Sequence, residues 1–324
     1  MINKAQAELI RAAGGMANKK EIDHLLYIGD LPLPEELIKA KSPARRKMVQ
    51  AVTSESQRQV IEAMGITTIS LPIYDMARSE KFKIALVGGI AKGLFKNGEA
   101  VLGMTSRRPA SFPDSLLLVT IGEEGPDSVD TGFGVVGTER IPSTVLESVI
   151  DLAVSISVEG WEGKAIGTIL VVGDSNAVME KSRQLTLNPF QGYSEEEKNI
   201  LNPEVREAIK NFAVLDGAFV IREDGVVLSA GRYLRFDVEK GLTVPLGLGA
   251  RHMAAAGTSL DTDAITIVVS ETSGAVRLFQ NGECKLHLRP GQLHRRGAVD
   301  EGQAMNARRY DPDASNEKEK ADGE

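Results

Sequence analysis

Apolar and polar positions along this chain fall into short blocks. Runs rich in β-branched and aliphatic residues recur at 67–72, 82–87, 115–121, 168–172, 218–221, 226–229, 264–270 and 275–279. Turn-forming or charged residues border most of them. That length and composition predict buried strands. Between the runs, residues 1–65, 143–158, 194–212 and 251–260 carry apolar positions at helical spacing. In the second of these, Ser143 is placed to act as N-cap, while Leu146, Val149, Ile150 and Leu152 supply one apolar face. Alternating strands and helices predict an α/β protein: a three-layer amino-terminal unit, then a second unit whose mixed central sheet is flanked by helices. The boundary is expected at 140–160, which gives domains of 1–150 and 151–295 and a tail of 296–324. From Glu301 onward seven acids and four bases occur without a single Leu, Ile, Val or Phe, a composition that predicts disorder. No internal repeat is evident at a fixed period.

Composition narrows the function classes. With 324 residues, 42% of them hydrophobic, the chain can build two substantial cores. A net charge of −7 argues against a general nucleic-acid coat, whose affinity would come from Lys and Arg on phosphates. The single cysteine, Cys284, excludes an internal disulfide and a multi-cysteine zinc site, and is expected to be a buried spectator. The longest apolar runs, such as 265–269, fall far short of the roughly 20 residues that span a bilayer. Met1-Ile2-Asn3-Lys4 opens an amphipathic pattern rather than a signal peptide, so a cytoplasmic protein without a membrane anchor is expected. The basic residues Lys39, Lys41, Arg45, Arg46 and Lys47 read as a solvated face. His24 is expected on a helix, and His287 and His294 in the approach to the tail, all three without a role.

The glycine-bearing stretch 88–98, with Lys92 inside it, reads as a tight connection between strand and helix or as a phosphate loop. It lacks the G-x-x-x-x-G-K-[ST] spacing, and Asn97-Gly98 suits a turn. The loop 126–137 shows no nucleophile or metal pattern.

Two other segments carry more chemistry. Asp216-Gly217-Ala218 places a carboxylate and a glycine between apolar 212–215 and 219–221, a run otherwise suited to a sheet interior. Gly249-Ala250-Arg251-His252-Met253 follows the flexible Gly247-Leu248 and opens an alanine-rich, helical stretch. Cations beside free helix N–H groups attract phosphate. Asp216 is a hard oxygen ligand suited to Mg²⁺ or Mn²⁺, or a group to orient or deprotonate a hydroxyl. Arg251 offers a planar, permanently charged fork to phosphate oxygens, and His252 a further hydrogen bond.

These segments, with residues 168–174, Arg232-Tyr233-Leu234 and the strand ending in Ser270-Glu271, resemble the catalytic domain of diadenylate cyclases, whose signatures read Asp-Gly-Ala and Arg-His-Arg. The likeness covers roughly 160–290, and the added amino-terminal domain is most similar to the archaeal type. That first domain resembles the carboxy-terminal domain of pyruvate kinase in its order of elements. The resemblance implies condensation of two ATP into cyclic di-AMP and two pyrophosphates, each ribose 3′-hydroxyl attacking the α-phosphate of the other ATP. It assigns Asp216, Gly217, Ala218, Arg251 and His252 to catalysis and Asp216 to the metal, with Tyr233, Leu234, Gly249, Ser270 and Glu271 around the ATP. Gly217 then admits the nucleotide to the backbone and Ala218 leaves room beside it. Ser270 touches phosphate. Glu271 is either near the metal or an exposed turn acid, and Tyr233 and Leu234 either flank adenine or pack the sheet. The resemblance also implies a homo-oligomer with catalytic domains face to face. With only a short acidic stretch after residue 290, the DNA-binding module that some members carry is not expected here. Two positions depart from the pattern: Met253 stands at the third motif position in place of arginine, and Ala250 where threonine is common. A catalytically silent ATP or cyclic-dinucleotide sensor is the competing reading.

Overall fold

Residues 1–65 carry enough helical spacing to suggest a helical segment throughout, yet they divide. In the computed structural model, which describes residues 2–39, 41–74, 76–108, 110–122, 140–237 and 249–290, helix α1 (Lys4–Ala17) is followed by strand β1 (His24–Ile28). Next come α2 (Pro43–Arg46), β2 (Met48–Val52), α3 (Glu55–Ala63) and β3 (Thr67–Ser70). Residues 1–65 are therefore not uniformly helical, and His24 lies on a strand, its Nε2 2.9 Å from Glu99. A buried parallel strand shows a short unbroken apolar run, which periodicity alone cannot separate from one turn of a buried helix.

The reverse error occurs at 82–87, expected as a strand. Those residues lie inside α4 (Arg78–Ala91), which is buried nearly all round and so shows no polar face. The glycine stretch 88–98 therefore does not lead from a strand into a helix: it is the end of α4 and the connection from it to the next strand. Gly88 to Ala91 continue α4, the Lys92 N–H bonds the Gly88 carbonyl, and the Lys92 ammonium donates to the Thr68 carbonyl at 3.2 Å. The unit is completed by β4 (Ala100–Thr105), which the sequence reading passed over, and β5 (Ser115–Thr120).

These five strands run in the order β3-β2-β1-β4-β5, all parallel except β5. One sheet face carries Leu25, Tyr27, Leu102 and Met104 against Ile10, Ala13 and Ala17 of α1, Ala44 of α2 and Ile61 of α3. The alternate residue Gly103 points to the other face, where its missing side chain admits the Phe82 ring of α4. Helices on both faces of one sheet make the expected three layers. Described residues up to 122 form this compact unit, and those from 140 to 290 form a second.

The second unit opens with α5 (Ser143–Glu159), whose N-cap is Pro142, so Ser143 is the first helical residue and not the cap. Strand β6 (Thr168–Val172), α6 (Ser175–Glu180) and β7 (Ser182–Gln184) follow. Helix α7 occupies Pro203–Phe212, shorter than the expected 194–212, because Asn202 caps it through the Glu204 N–H and Pro203 starts its first turn. Then come β8 (Ala218–Ile221), β9 (Val227–Leu234), α8 (Ala250–Asp261), β10 (Ile265–Val269), β11 (Val276–Gln280) and β12 (Glu283–Leu288). His287 is thus a buried residue of strand β12 rather than part of the approach to a tail. The loop 126–137, His294 and the tail lie outside the described residues.

The seven strands are ordered β12-β11-β10-β6-β8-β9-β7, with β6 and β8 the one parallel pair. Helix α5 packs on β10, β6 and β11. On the α8 side, Ala255 and Ala256 meet Ile169, Val171, Ala218, Val220, Val268 and Phe279. Small residues on α8 let the helix lie close to the sheet. No helix among the described residues is long and apolar enough to cross a membrane.

Candidate functional site

Register brings three strand ends to one edge of the second sheet. Val269, the last residue of β10, pairs with Thr168, the first of β6, and Ile169 pairs with Ala218, the first of β8. Ser270-Glu271, Gly167 and Asp216-Gly217 therefore leave adjacent strands at the same end. The run 212–215, expected to be sheet interior, is instead the last residue of α7 and a turn, with the Leu215 N–H bonded to the Phe212 carbonyl. Asp216 ends that turn with its side chain 90% exposed.

Gly217 has φ +104°, a backbone shape that side chains disfavour, and a Cβ there would sit 2.6 Å from Arg232 N and 2.7 Å from Gly231 C. In this structure the missing side chain makes room for the backbone of β9, beside the irregular pairing of Ala218 and Val220 with that strand. Ala218 is fully buried and pairs with Arg232.

Arg251 lies in the first turn of α8, which has no side-chain cap at Gly249. The Gly249 carbonyl instead accepts the N–H groups of His252 and Met253. From there the Arg251 guanidinium reaches Glu271, with Nη1 to Oε2 at 3.0 Å, and Asp216, with Nη2 to Oδ1 at 3.9 Å. All three side chains are at least two-fifths exposed, so these pairs add little stability. Their effect is to aim the arginine. Gly167, which the sequence reading missed, makes the path possible: a Cβ there would fall 2.9 Å from Arg251 Nη1 and 3.0 Å from Glu271 Cβ. A glycine one residue before a strand was the available signal.

His252, next along α8, turns inward and is only 6% exposed. Its Nε2 lies 3.1 Å from Nη1 of Arg277 on β11, and its ring meets Phe279 edge-on. Burial, with Arg277 and Arg251 adding repulsion, pulls its pKa down to about 4, so the ring is neutral near neutral pH. Arg277 also escaped the sequence reading, where it stood as a lone charge in an apolar strand.

Of the other expected residues, Ser270 is buried and holds the turn after β10, its Oγ accepting the Ser273 N–H at 3.4 Å. Leu234 is in the core with Ala255 and Val268, whereas Tyr233 points outward under the Arg183 guanidinium, 5.2 Å from the ring centre. Arg232 is occupied in structure, bonding Met179 O, Ser182 Oγ and Ser182 O. Cys284 is half-buried and donates to the Leu286 carbonyl. No group of three or more metal-ligating side chains occurs among the described residues. The exposed Asp216, with Glu271 on the other side of Arg251, fits a hard cation that keeps water and phosphate among its ligands.

Fold and site define an α/β domain that gathers an arginine between two carboxylates at one end of its sheet. Residues 155–284 match the family described as DAC, DisA bacterial checkpoint controller nucleotide-binding. A diadenylate cyclase of Haloferax volcanii is 32% identical over 224 residues, 69% of this chain and 80% of that protein. One of Methanocaldococcus jannaschii is 44% identical over 138 residues, 43% of each chain. The chain belongs to the diadenylate cyclase family, a family of nucleotidyltransferases. Among solved structures, DacA from Staphylococcus aureus aligns with TM-score 0.28 and 23% identity over 43% of this chain and 83% of its own.

Proposed function

We propose that the protein condenses two ATP into cyclic di-AMP and two pyrophosphates. The observation that carries this reading is the meeting of Asp216 and Arg251, from motifs 35 residues apart, at one sheet end. The reaction asks for in-line placement of two nucleotides and neutralisation of charge at the transferring phosphorus, with removal of a hydroxyl proton. Arg251, held by Glu271, binds phosphate oxygens beside the uncapped start of α8. Asp216 orients the attacking 3′-hydroxyl and accepts its proton. Ser270 and Gly249 border the phosphates, and the exposed Tyr233 the adenine, while Leu234, buried beside it, packs the sheet beneath.

A Mg²⁺ or Mn²⁺ ion held by Asp216 would lower the charge on the phosphates and leaving pyrophosphate when bound. Met253 supplies no cation, so Arg251 and the ion carry that burden. Because each product has two equivalent bonds, the two ATP molecules must face each other, and the exposed Asp216 suits a site closed by a second copy of the chain. We take the protein to act as a homo-oligomer in the cytoplasm, with domains 1–150, 151–295 and 296–324 and the first similar to the pyruvate kinase carboxy-terminal domain.

The test is incubation of the full chain with ATP and Mg²⁺, Mn²⁺ or Co²⁺, with the products separated by chromatography. Cyclic di-AMP and pyrophosphate are expected only with a divalent cation. Tight ATP binding with no product under any of the three would establish the silent-sensor reading instead.

A further inference from the structure

Arg277 belongs to neither motif, yet its guanidinium lies within hydrogen-bond distance of the site histidine. It sits one residue inside β11, pairs with Val268 of β10, and shares a sheet face with Phe279, two residues on. That face lies under α8. Nη1 of Arg277 is 3.1 Å from Nε2 of His252. A guanidinium has donors and no acceptor, so the nitrogen facing it must be the unprotonated one. The single proton of a neutral imidazole is then on Nδ1. The Phe279 edge, 6.4 Å between ring centres, packs the same ring.

We infer that Arg277 is a positioning residue of the catalytic site: it holds His252 as the Nδ1–H tautomer and so fixes which ring nitrogen can donate to the nucleotide. His252 then serves as a neutral donor, and the fixed positive charge around it comes from Arg251 and Arg277. This deepens the cyclase reading and rests on His252 meeting the nucleotide. The histidine's pKa, held near 4 by burial and the two arginines, agrees with a ring that keeps one proton while the site works.

The experiment uses the full chain labelled with ¹⁵N-histidine, observed by long-range ¹H–¹⁵N correlation at neutral pH and assigned by loss of a signal in His252→Gln. The expected pattern is a neutral ring with Nδ1 protonated and Nε2 bare. Adding a non-hydrolysable ATP analogue should move the Nδ1 resonance. An Nε2–H ring, or an even mixture of the two forms, would overturn the assignment, as would a ring unmoved by an analogue that demonstrably binds. Arg277→Met should yield the mixed tautomer and lower kcat by about 10- to 100-fold with KM for ATP changed less than about 3-fold, while Arg277→Lys, still an obligate donor, restores most of it. In a His252→Gln background Arg277→Met should add nothing further. Equal losses in both backgrounds would make Arg277 merely structural. Because the tautomer and the analogue shift need no turnover, they stand even if the chain makes no cyclic di-AMP, and that failure would count against the cyclase reading alone.

Discussion

Gly217→Ala tests whether the glycine of the Asp-Gly-Ala motif serves the sheet. The wild-type backbone has φ +104°, and the new Cβ would lie 2.6 Å from Arg232 N, 2.7 Å from Gly231 C and 2.9 Å from Arg232 O. All three are main-chain atoms of β9 and cannot swing aside as a side-chain tip would. A non-glycine residue held in such a conformation costs about 1–3 kcal/mol, and forcing atoms into a packed region a further 1–3 kcal/mol or so. The sum, about 2–6 kcal/mol, is a large share of the 5–15 kcal/mol or so that typically holds a domain together. Trp161 is the chain's single tryptophan and lies in the second unit, so its fluorescence during urea unfolding of the full chain follows that unit. With a slope of about 2 kcal/mol per molar urea, the midpoint should fall by roughly 1–3 M. A midpoint within about 0.3 M of wild type would refute the packing argument and return Gly217 to the role of admitting nucleotide.

Asp216→Asn keeps the shape and removes the charge, so cyclic di-AMP formation should fall by about 100-fold or more while ATP binding partly survives, and near-normal turnover would falsify its assignment. Mixed into wild type, the same variant should depress activity beyond simple dilution, whereas activity tracking the wild-type fraction would contradict facing sites. Gly167→Ala pushes on Arg251 Nη1, a movable tip, so KM for ATP should rise by about 10-fold with the unfolding midpoint little changed, and Gly167→Val should be worse in both. His252 has a folded pKa near 4, below its ordinary 6.5, so the unfolded chain takes the proton first as pH falls. Its contribution is complete above about pH 6.5 and drains toward pH 4, by about 2 kcal/mol between pH 7 and pH 5. The stability of His252→Gln should therefore fall less steeply over that interval, and identical slopes would refute the buried neutral ring.

Much of the second unit was legible because its strands are antiparallel or short, rich in Val and Ile, and punctuated by glycine and acid. Residues 218–221 and 168–172 coincide with β8 and β6. The first unit was harder, since β1, β2 and α4 are all buried on several sides and an apolar run then carries no period. Asp216 and Arg251 could be singled out as charges at element boundaries. Their approach through Gly167 could not, because a missing side chain leaves no chemical trace in sequence. Arg277 was invisible for a different reason: its meaning depends on which face of β11 it shares with Phe279 and on where α8 crosses that face.

A β-sheet is also a ruler. Glu271 leaves β10 and Asp216 precedes β8, with β6 between them, so the two carboxylates stand on strands two steps apart, about 9–10 Å in the hydrogen-bonding direction. Arg251 projects across that gap over Gly167, the residue just before the middle strand, which has no side chain. The interval can change only in whole strands, which makes it resistant to drift in the loops that carry the acids. It also sets the smallest portable unit: grafting the two motifs onto another scaffold would transfer the charges without their spacing, whereas the block β10-β6-β8 with α8 would carry both.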